Sequence, residues 1–282
     1  MKNAVKIELK KAIKTRYFFI TVVIGILITM LSLVYNIQII QQAEENIYEG
    51  YNPCYEGYTL FNHWVGGEAY SLGSSLYYFV FPILIAIPYG WSYCGEQTSG
   101  YIRQVVVRTG RKKYMLAKYI ATFISGGLTM IIPLVINFML TALFFPAIKP
   151  VVSYDTMYGV FGYSMFSELY YTYPFVYVAI YLLLDFLFCG ALTGLTMISA
   201  KYIKYKWVNC IFPFITCMII NLAGSLFISN AKQNYEISPF YFLRPAEAKY
   251  PANLSLILIM MCSIILITII YSWIVERKNE FL

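Results

Sequence analysis

The sequence predicts an all-α polytopic membrane protein with six transmembrane helices and both termini in the cytoplasm. Three observations carry this: six apolar runs long enough to span a bilayer, little charge, and an uneven placement of Lys and Arg. Of 282 residues, 60% are hydrophobic and 12% are charged, with a mean hydropathy of +0.63. A soluble domain is about 45–50% apolar and about 25% charged. This chain has more apolar surface than a water-soluble fold can hide, so a bilayer must be its solvent.

The runs fall at 17–35, 74–93, 119–145, 174–199, 207–229 and 254–275, each near the ~20 residues that cross the hydrocarbon core. Inside them Asp185 is the only formal charge. Of the 21 Lys and Arg residues, 17 flank one side of the runs, and only Lys149, Lys232, Arg244 and Lys249 flank the other. Basic residues stay on the cytoplasmic face, which sets the orientation and explains the net charge of +7. No nucleic-acid partner is expected. Residues 2–16 are too long and too charged for the n-region of a signal peptide, and the run after them lacks an A-x-A site, so no cleaved leader is expected.

Residues 1–16 read as an amphipathic helix lying in the membrane interface. Val5, Leu9, Ala12 and Ile13 share one face and Lys6, Lys10 and Lys14 another, a pattern that puts apolar residues in lipid and lysines on headgroups. On the outer side, loop 36–73 has no Lys or Arg but carries Glu44, Glu45, Glu49, Glu56 and Glu68. It repeats Tyr-Glu-Gly-Tyr, and a second outer loop holds Tyr154, Tyr158, Tyr163, Tyr170, Tyr171 and Tyr173. Tyrosine favours the membrane–water boundary, so these loops are expected to lie on the membrane or cap the bundle.

The residues for chemistry are sparse. His63 is the only histidine and falls in a loop, where a surface position is expected. No carboxylate dyad sits in the spans and no P-loop occurs. The six cysteines form no C-x-x-C pair, and nothing suggests a metal site or a disulfide framework. The chain reads as no enzyme by itself. Asp185, without a Lys or Arg in any span, costs about 2.5–3.5 kcal/mol at that depth. It is expected either to hydrogen-bond in the bundle, with Asn137, Asn209 or Asn221 as partners, or to line a substrate path with Asn137 and Asn221.

The most informative stretch is residues 95–119, after the second run. Tyr101, Ile102, Val105 and Val106 recur at helical spacing, with Arg103 and Arg108 nearby. Glu96 suits the start of that helix, where an acid opposes the dipole. Thr109-Gly110 breaks the pattern, and Thr109 is placed to cap a second helix that carries Arg111, Lys112 and Lys113 into the third run. A short helix with an apolar face in a polar loop must dock on something, either the membrane surface or a partner protein.

Glu96, Ser99-Gly100, the apolar stretch 102–107, the turn Thr109-Gly110 and Arg111 resemble the coupling loop of permeases of ATP-binding-cassette (ABC) transporters, type-two exporter class. The six runs, the basic N-terminal helix and Ser238-Pro239-Phe240 ahead of the last run fit the same class. The resemblance implies a bacterial plasma-membrane permease that pairs with a second copy or a paralogue. It would be driven by a dimer of separate ATPase subunits docked on loop 95–118, with ATP and Mg bound there and no cofactor in this chain. Implied coupling residues are Glu96, Ser99, Gly100, Tyr101, Arg103, Arg108 and Arg111. Amphipathic or antimicrobial peptides, drugs or lipids are the substrate classes considered. A long first outer loop departs from members that export glycans. A self-sufficient secondary transporter and a membrane sensor or scaffold remain as alternatives.

Overall fold

The computed structural model describes residues 2–45, 57–228, 235–246 and 250–277. Helix α1 (Lys2–Lys14) leads into α2 (Arg16–Glu45), and a short α3 (Leu60–His63) precedes α4 (Leu72–Ala86) and α5 (Gly90–Thr98). The short helix α6 (Tyr101–Thr109) is followed by the long α7 (Arg111–Thr141), then two small helices, α8 (Asp155–Tyr158) and α9 (Ser167–Thr172). The chain ends with α10 (Pro174–Ser199), α11 (Lys206–Ile228), α12 (Pro239–Phe242) and α13 (Leu254–Arg277). Among the described residues there is no strand, only an isolated bridge between Glu236 and Ala252.

Six helical stretches are long and apolar enough to cross a membrane: Arg16–Gln41, Leu72–Thr98, Arg111–Thr141, Pro174–Ser199, Lys206–Leu226 and Leu254–Ser272. These are the six runs expected from sequence. The second is not continuous. Pro88 falls in a turn at 87–89 that divides it into α4 and α5, because proline lacks the amide donor and crowds the preceding turn. The third begins at Arg111 rather than at 119. Both changes bring charges into the stretches. Glu96 lies in the second and Lys118 in the third, so Asp185 is not alone there. The cost is offset because Lys118 and Glu96 are paired.

Helices α7 and α10 form the most extensively packed pair, and their closeness depends on missing side chains. A Cβ on Gly127 would lie 2.4 Å from the Phe186 ring and 2.7 Å from its carbonyl oxygen. On the facing helix, a Cβ on Gly190 would lie 2.9 Å from Phe123. Small residues at such contacts let helix backbones approach where no hydrophobic effect drives them together.

The ends of the bundle differ. At one end, α1, α5, α6 and the start of α7 gather the basic residues. At the other, an aromatic cap closes the core. Phe61, Trp64 and Val65 are buried against Tyr158, Tyr170 and Tyr177. The cap is stitched down by the Leu60 amide on the Pro146 carbonyl at 3.0 Å and the Val65 amide on Asn137 Oδ1 at 2.9 Å. His63 belongs to this cap. It is buried, not at the surface as expected, with its ring stacked 4.4 Å from that of Phe145. Glu68 is buried too. Its carboxylate accepts from the Tyr70 and Ser71 amides and from the Ser32 and Ser71 hydroxyls. It is therefore no part of an acidic surface. Glu44 and Glu45 end α2, while Glu49, Glu56 and most of the Tyr-Glu-Gly-Tyr repeat lie outside the described residues.

Candidate functional site

The basic end is organised by a group of four charges, of which Glu8 and Lys118 are buried. Lys118, with no exposed surface, lies 3.1 Å from Glu8 Oε2 and 2.9 Å from Glu96 Oε1. Lys11 pairs with Glu8 at 2.8 Å and approaches Glu96 at 3.8 Å. Two ammonium groups and two carboxylates cancel. Polar side chains satisfy what remains: Lys118 donates to Ser92 Oγ at 2.6 Å and Tyr89 Oη at 3.2 Å. The Tyr89 hydroxyl donates to Glu8 at 2.5 Å, and that of Tyr114 to Glu96 at 2.5 Å. Neutral, fully bonded clusters are the form in which buried charge is tolerated; removing Glu8 or Lys118 leaves its buried partner uncompensated, at about 3–5 kcal/mol. Burial pushes the Glu8 carboxyl up, but the Lys118 charge and the Lys11 and Tyr89 hydrogen bonds outweigh it, so Glu8 sits below the usual carboxylate range.

The four charges come from α1, α5 and α7, so the cluster fixes α1 to the bundle. Glu8 and Ala12 form the inward face of α1, against Tyr89 and Ala121. The expected lipid-facing stripe is only half buried at Val5, Leu9 and Ile13, whereas Lys6, Lys10 and Lys14 are exposed. An acid among lysines reads from sequence as a solvated residue, which hides the role of Glu8. Lys11 is three residues away, but Tyr89 and Lys118, which bury the carboxylate, are remote in the chain and leave no local mark on it.

Helix α6 sits on top of this cluster, and the structure corrects several expectations for it. Glu96 is in the last turn of α5 and does not start α6. The N-cap of α6 is Gly100, whose φ of +73° favours glycine. Nothing lies within 4 Å of where its Cβ would be, so conformation rather than close packing calls for glycine. Ser99 ends α5, its hydroxyl donating to the Glu96 carbonyl at 3.3 Å. Thr109 closes α6 and donates to the Val105 carbonyl at 2.8 Å; it does not cap α7, which begins at Arg111 after Gly110.

The apolar face of α6 turns inward. Ile102 is buried with Tyr93, Tyr114 and Met115, and Val105 and Val106 pack beside it. The face presented outward is different: Arg103, Gln104, Arg108 and a Val107 that is 87% exposed. Tyr101 is partly exposed, with Lys11 Nζ 5.0 Å from its ring centre. A cavity of about 230 Å³ lies between α1, α6 and α7, bordered by Ile7, Lys11, Tyr101 and Arg108.

No family model matches this chain, and no curated protein or solved structure matches it. Function is therefore read from the residues themselves.

The sequence-selected polar residues of the bundle do not come together. Asp185 is fully buried on α10, and neither of its oxygens has a hydrogen-bond partner among the described residues. Asn137 instead holds the cap, donating to the Thr29 carbonyl at 2.9 Å and accepting from Val65. Asn209 donates to the Thr196 carbonyl at 2.9 Å and accepts from Ser199 at 2.6 Å. Asn221 borders a separate cavity between α4, α11 and α12. The expected hydrogen bond from Asp185 to an asparagine is absent among the described residues: Asn137 and Asn209 are engaged with other groups, and Asn221 lines that separate cavity. The groups in electrostatic reach of Asp185 are Tyr77, Tyr78 and Cys189. Tyr77 donates to the Met130 carbonyl at 2.6 Å, and the Tyr78 hydroxyl has no partner. Among the described residues no group of three or more His, Cys, Asp or Glu converges to hold a metal.

Proposed function

We propose that this chain is the membrane-spanning permease subunit of a bacterial ABC exporter in the plasma membrane, paired with a second permease and driven by two separate ATPase subunits. One observation carries the reading. Helix α6 lies between two stretches long and apolar enough to cross a membrane, packs its apolar face on the bundle beside a neutral charge cluster, and still presents Arg103, Val107 and Arg108 outward. A projecting helix packed on the bundle and joined closely to α5 and α7 is what a soluble motor needs to push on. An exposed valine between two arginines is the kind of small anchor that concentrates interface energy. On this reading Glu96, Gly100 and Arg111 shape the loop. Tyr101 ties α6 to α1 through Lys11, so that α1 moves with it. ATP and Mg belong to the partner, and the cargo is an amphipathic peptide, a drug or a lipid.

The test is co-purification of a P-loop ATPase from native membranes, with ATP hydrolysis measured on the captured complex. Combined replacement of Arg103, Val107 and Arg108 by Ala should leave the permease folded in the membrane, because none of the three is buried. It should lower ATPase recovery at least tenfold. The same change at Tyr163, exposed at the opposite end, should have no effect. Full ATPase recovery with the triple variant, or no ATPase with the wild type, would refute the assignment and leave a secondary transporter or a scaffold.

A further inference from the structure

The end of the bundle opposite α6 holds a buried cation that the proposed transport mechanism does not use. Arg244, just after α12, is only 6% exposed. Its Nε donates to the Ala246 carbonyl at 3.3 Å. No carboxylate lies within 4 Å of it among the described residues. The acid that attracts it from a distance is Glu68, whose oxygens are already taken by the Ser32 and Ser71 hydroxyls and the Tyr70 and Ser71 amides. A buried guanidinium with its charge uncompensated is costly, and here it borders open space rather than packed side chains.

That space is a cavity of about 510 Å³ between α4, α11 and α12, within the roughly 300–1,000 Å³ of small-molecule sites. Tyr78 also lines it; this side chain is 1% exposed and its hydroxyl has no hydrogen-bond partner among the described residues. Asn221 brings an amide from α11. Three donor groups from three elements thus border one cavity, and two of them, the guanidinium and the phenol, are short of acceptors. A guanidinium fork matches paired oxygens of a phosphate, and further donors suit the remaining oxygens of a tetrahedral group. The other walls are apolar: Phe79, Met218 and Phe240. Phe79 is 45% exposed, so the cavity borders apolar surface of the kind that faces lipid chains.

We propose that this cavity binds the phosphate headgroup of an anionic amphiphile, with Arg244 and Tyr78 on the phosphate oxygens and the apolar tail leaving past Phe79. The proposal goes beyond the transporter reading and is independent of it, since binding is measured without any ATPase.

The experiment uses the full-length chain in a neutral detergent and native mass spectrometry with three probes: dioleoylphosphatidylglycerol, dioleoylglycerol and inorganic phosphate. The phosphatidylglycerol should bind at one saturable site, and dioleoylglycerol, identical but for the head, at least tenfold more weakly. Arg244→Gln should weaken phosphatidylglycerol at least tenfold, and Arg244→Lys, which keeps the charge and loses the fork, by less. Tyr78→Phe removes one oxygen and should weaken it several-fold. It carries the test alone if Arg244→Gln does not fold. Equal binding of the two lipids, or unchanged binding in Arg244→Gln and Tyr78→Phe, would overturn the proposal. So would inorganic phosphate binding as tightly as the lipid, which would make the ligand a free anion.

Discussion

His63 and Asp185 show how far burial changes what a residue does. The His63 Nδ1 faces two acceptors, the Thr59 carbonyl at 3.1 Å and Asn62 Oδ1 at 2.7 Å, so that nitrogen carries the proton and donates. Burial pushes the ring down to about 4, against the weaker pull of the Thr59 carbonyl in the other direction. The unfolded ring takes its second proton near pH 6.5. The neutral cap is therefore at full strength above about pH 6.5 and loses stability as pH falls toward 4, by roughly 3 kcal/mol in all. Thermal unfolding in detergent between pH 7.5 and 4.5 should show this slope, and His63→Gln should flatten it; an unchanged slope would place the titrating group elsewhere. Asp185 is the opposite case, an acid without a hydrogen-bond partner among the described residues. A buried polar group without a partner costs about 1–3 kcal/mol. Asp185→Leu should thus leave the protein as stable as wild type or up to that much more stable. This reverses the sequence-based expectation of a structural hydrogen bond. If Asp185→Leu folds normally yet abolishes transport, the acid is kept for function; if it unfolds the protein, Asp185 has a partner in the working assembly.

Among the elements, α7 is the member to which the others are fitted. It bears Lys118 for the charge cluster, Gly126 and Gly127 for contact with α10, Pro133 against Gly25 of α2, and Asn137 for the cap. Crowding at the glycine contacts allows a sharp test. Gly127→Ala would set a methyl group against the Phe186 ring and carbonyl, and overpacking of this kind costs about 1–3 kcal/mol. Gly162, with nothing within 4 Å of its would-be Cβ, is the control, and Gly162→Ala should change stability by less than about 0.5 kcal/mol. Equal unfolding midpoints for the two variants would mean that α7 and α10 are not so closely apposed. Sequence reading places α6 correctly as a helix but assigns its faces the wrong way round. Tyr101, Ile102, Val105 and Val106 do form a stripe, yet periodicity says only that a stripe is buried, not against which neighbour. Buried Ile102 shows the stripe meeting its own bundle, and the face left exposed consists of residues with no apolar period.

At the scale of the whole molecule, charge asymmetry predicts the orientation. In a cysteine-free background, a Cys at position 163 should react with a membrane-impermeant reagent on intact cells and one at position 112 should not; the reverse would invert the topology. The sequence by itself determined that the chain is helical, that it has six runs long and apolar enough to cross a membrane, and where those runs lie. Those properties depend on length and composition: about 20 apolar residues span a bilayer whatever their neighbours. It also marked the stretch around α6 as distinct. Only the tertiary structure decided that Glu8 and Lys118, 110 positions apart, share one buried cluster, that His63 and Glu68 are buried in the cap, and that Arg244 and Tyr78 border one cavity. Pairing of polar groups inside a bundle depends on which helices face each other and at what level. A chain with six similar apolar runs carries almost no local record of that choice.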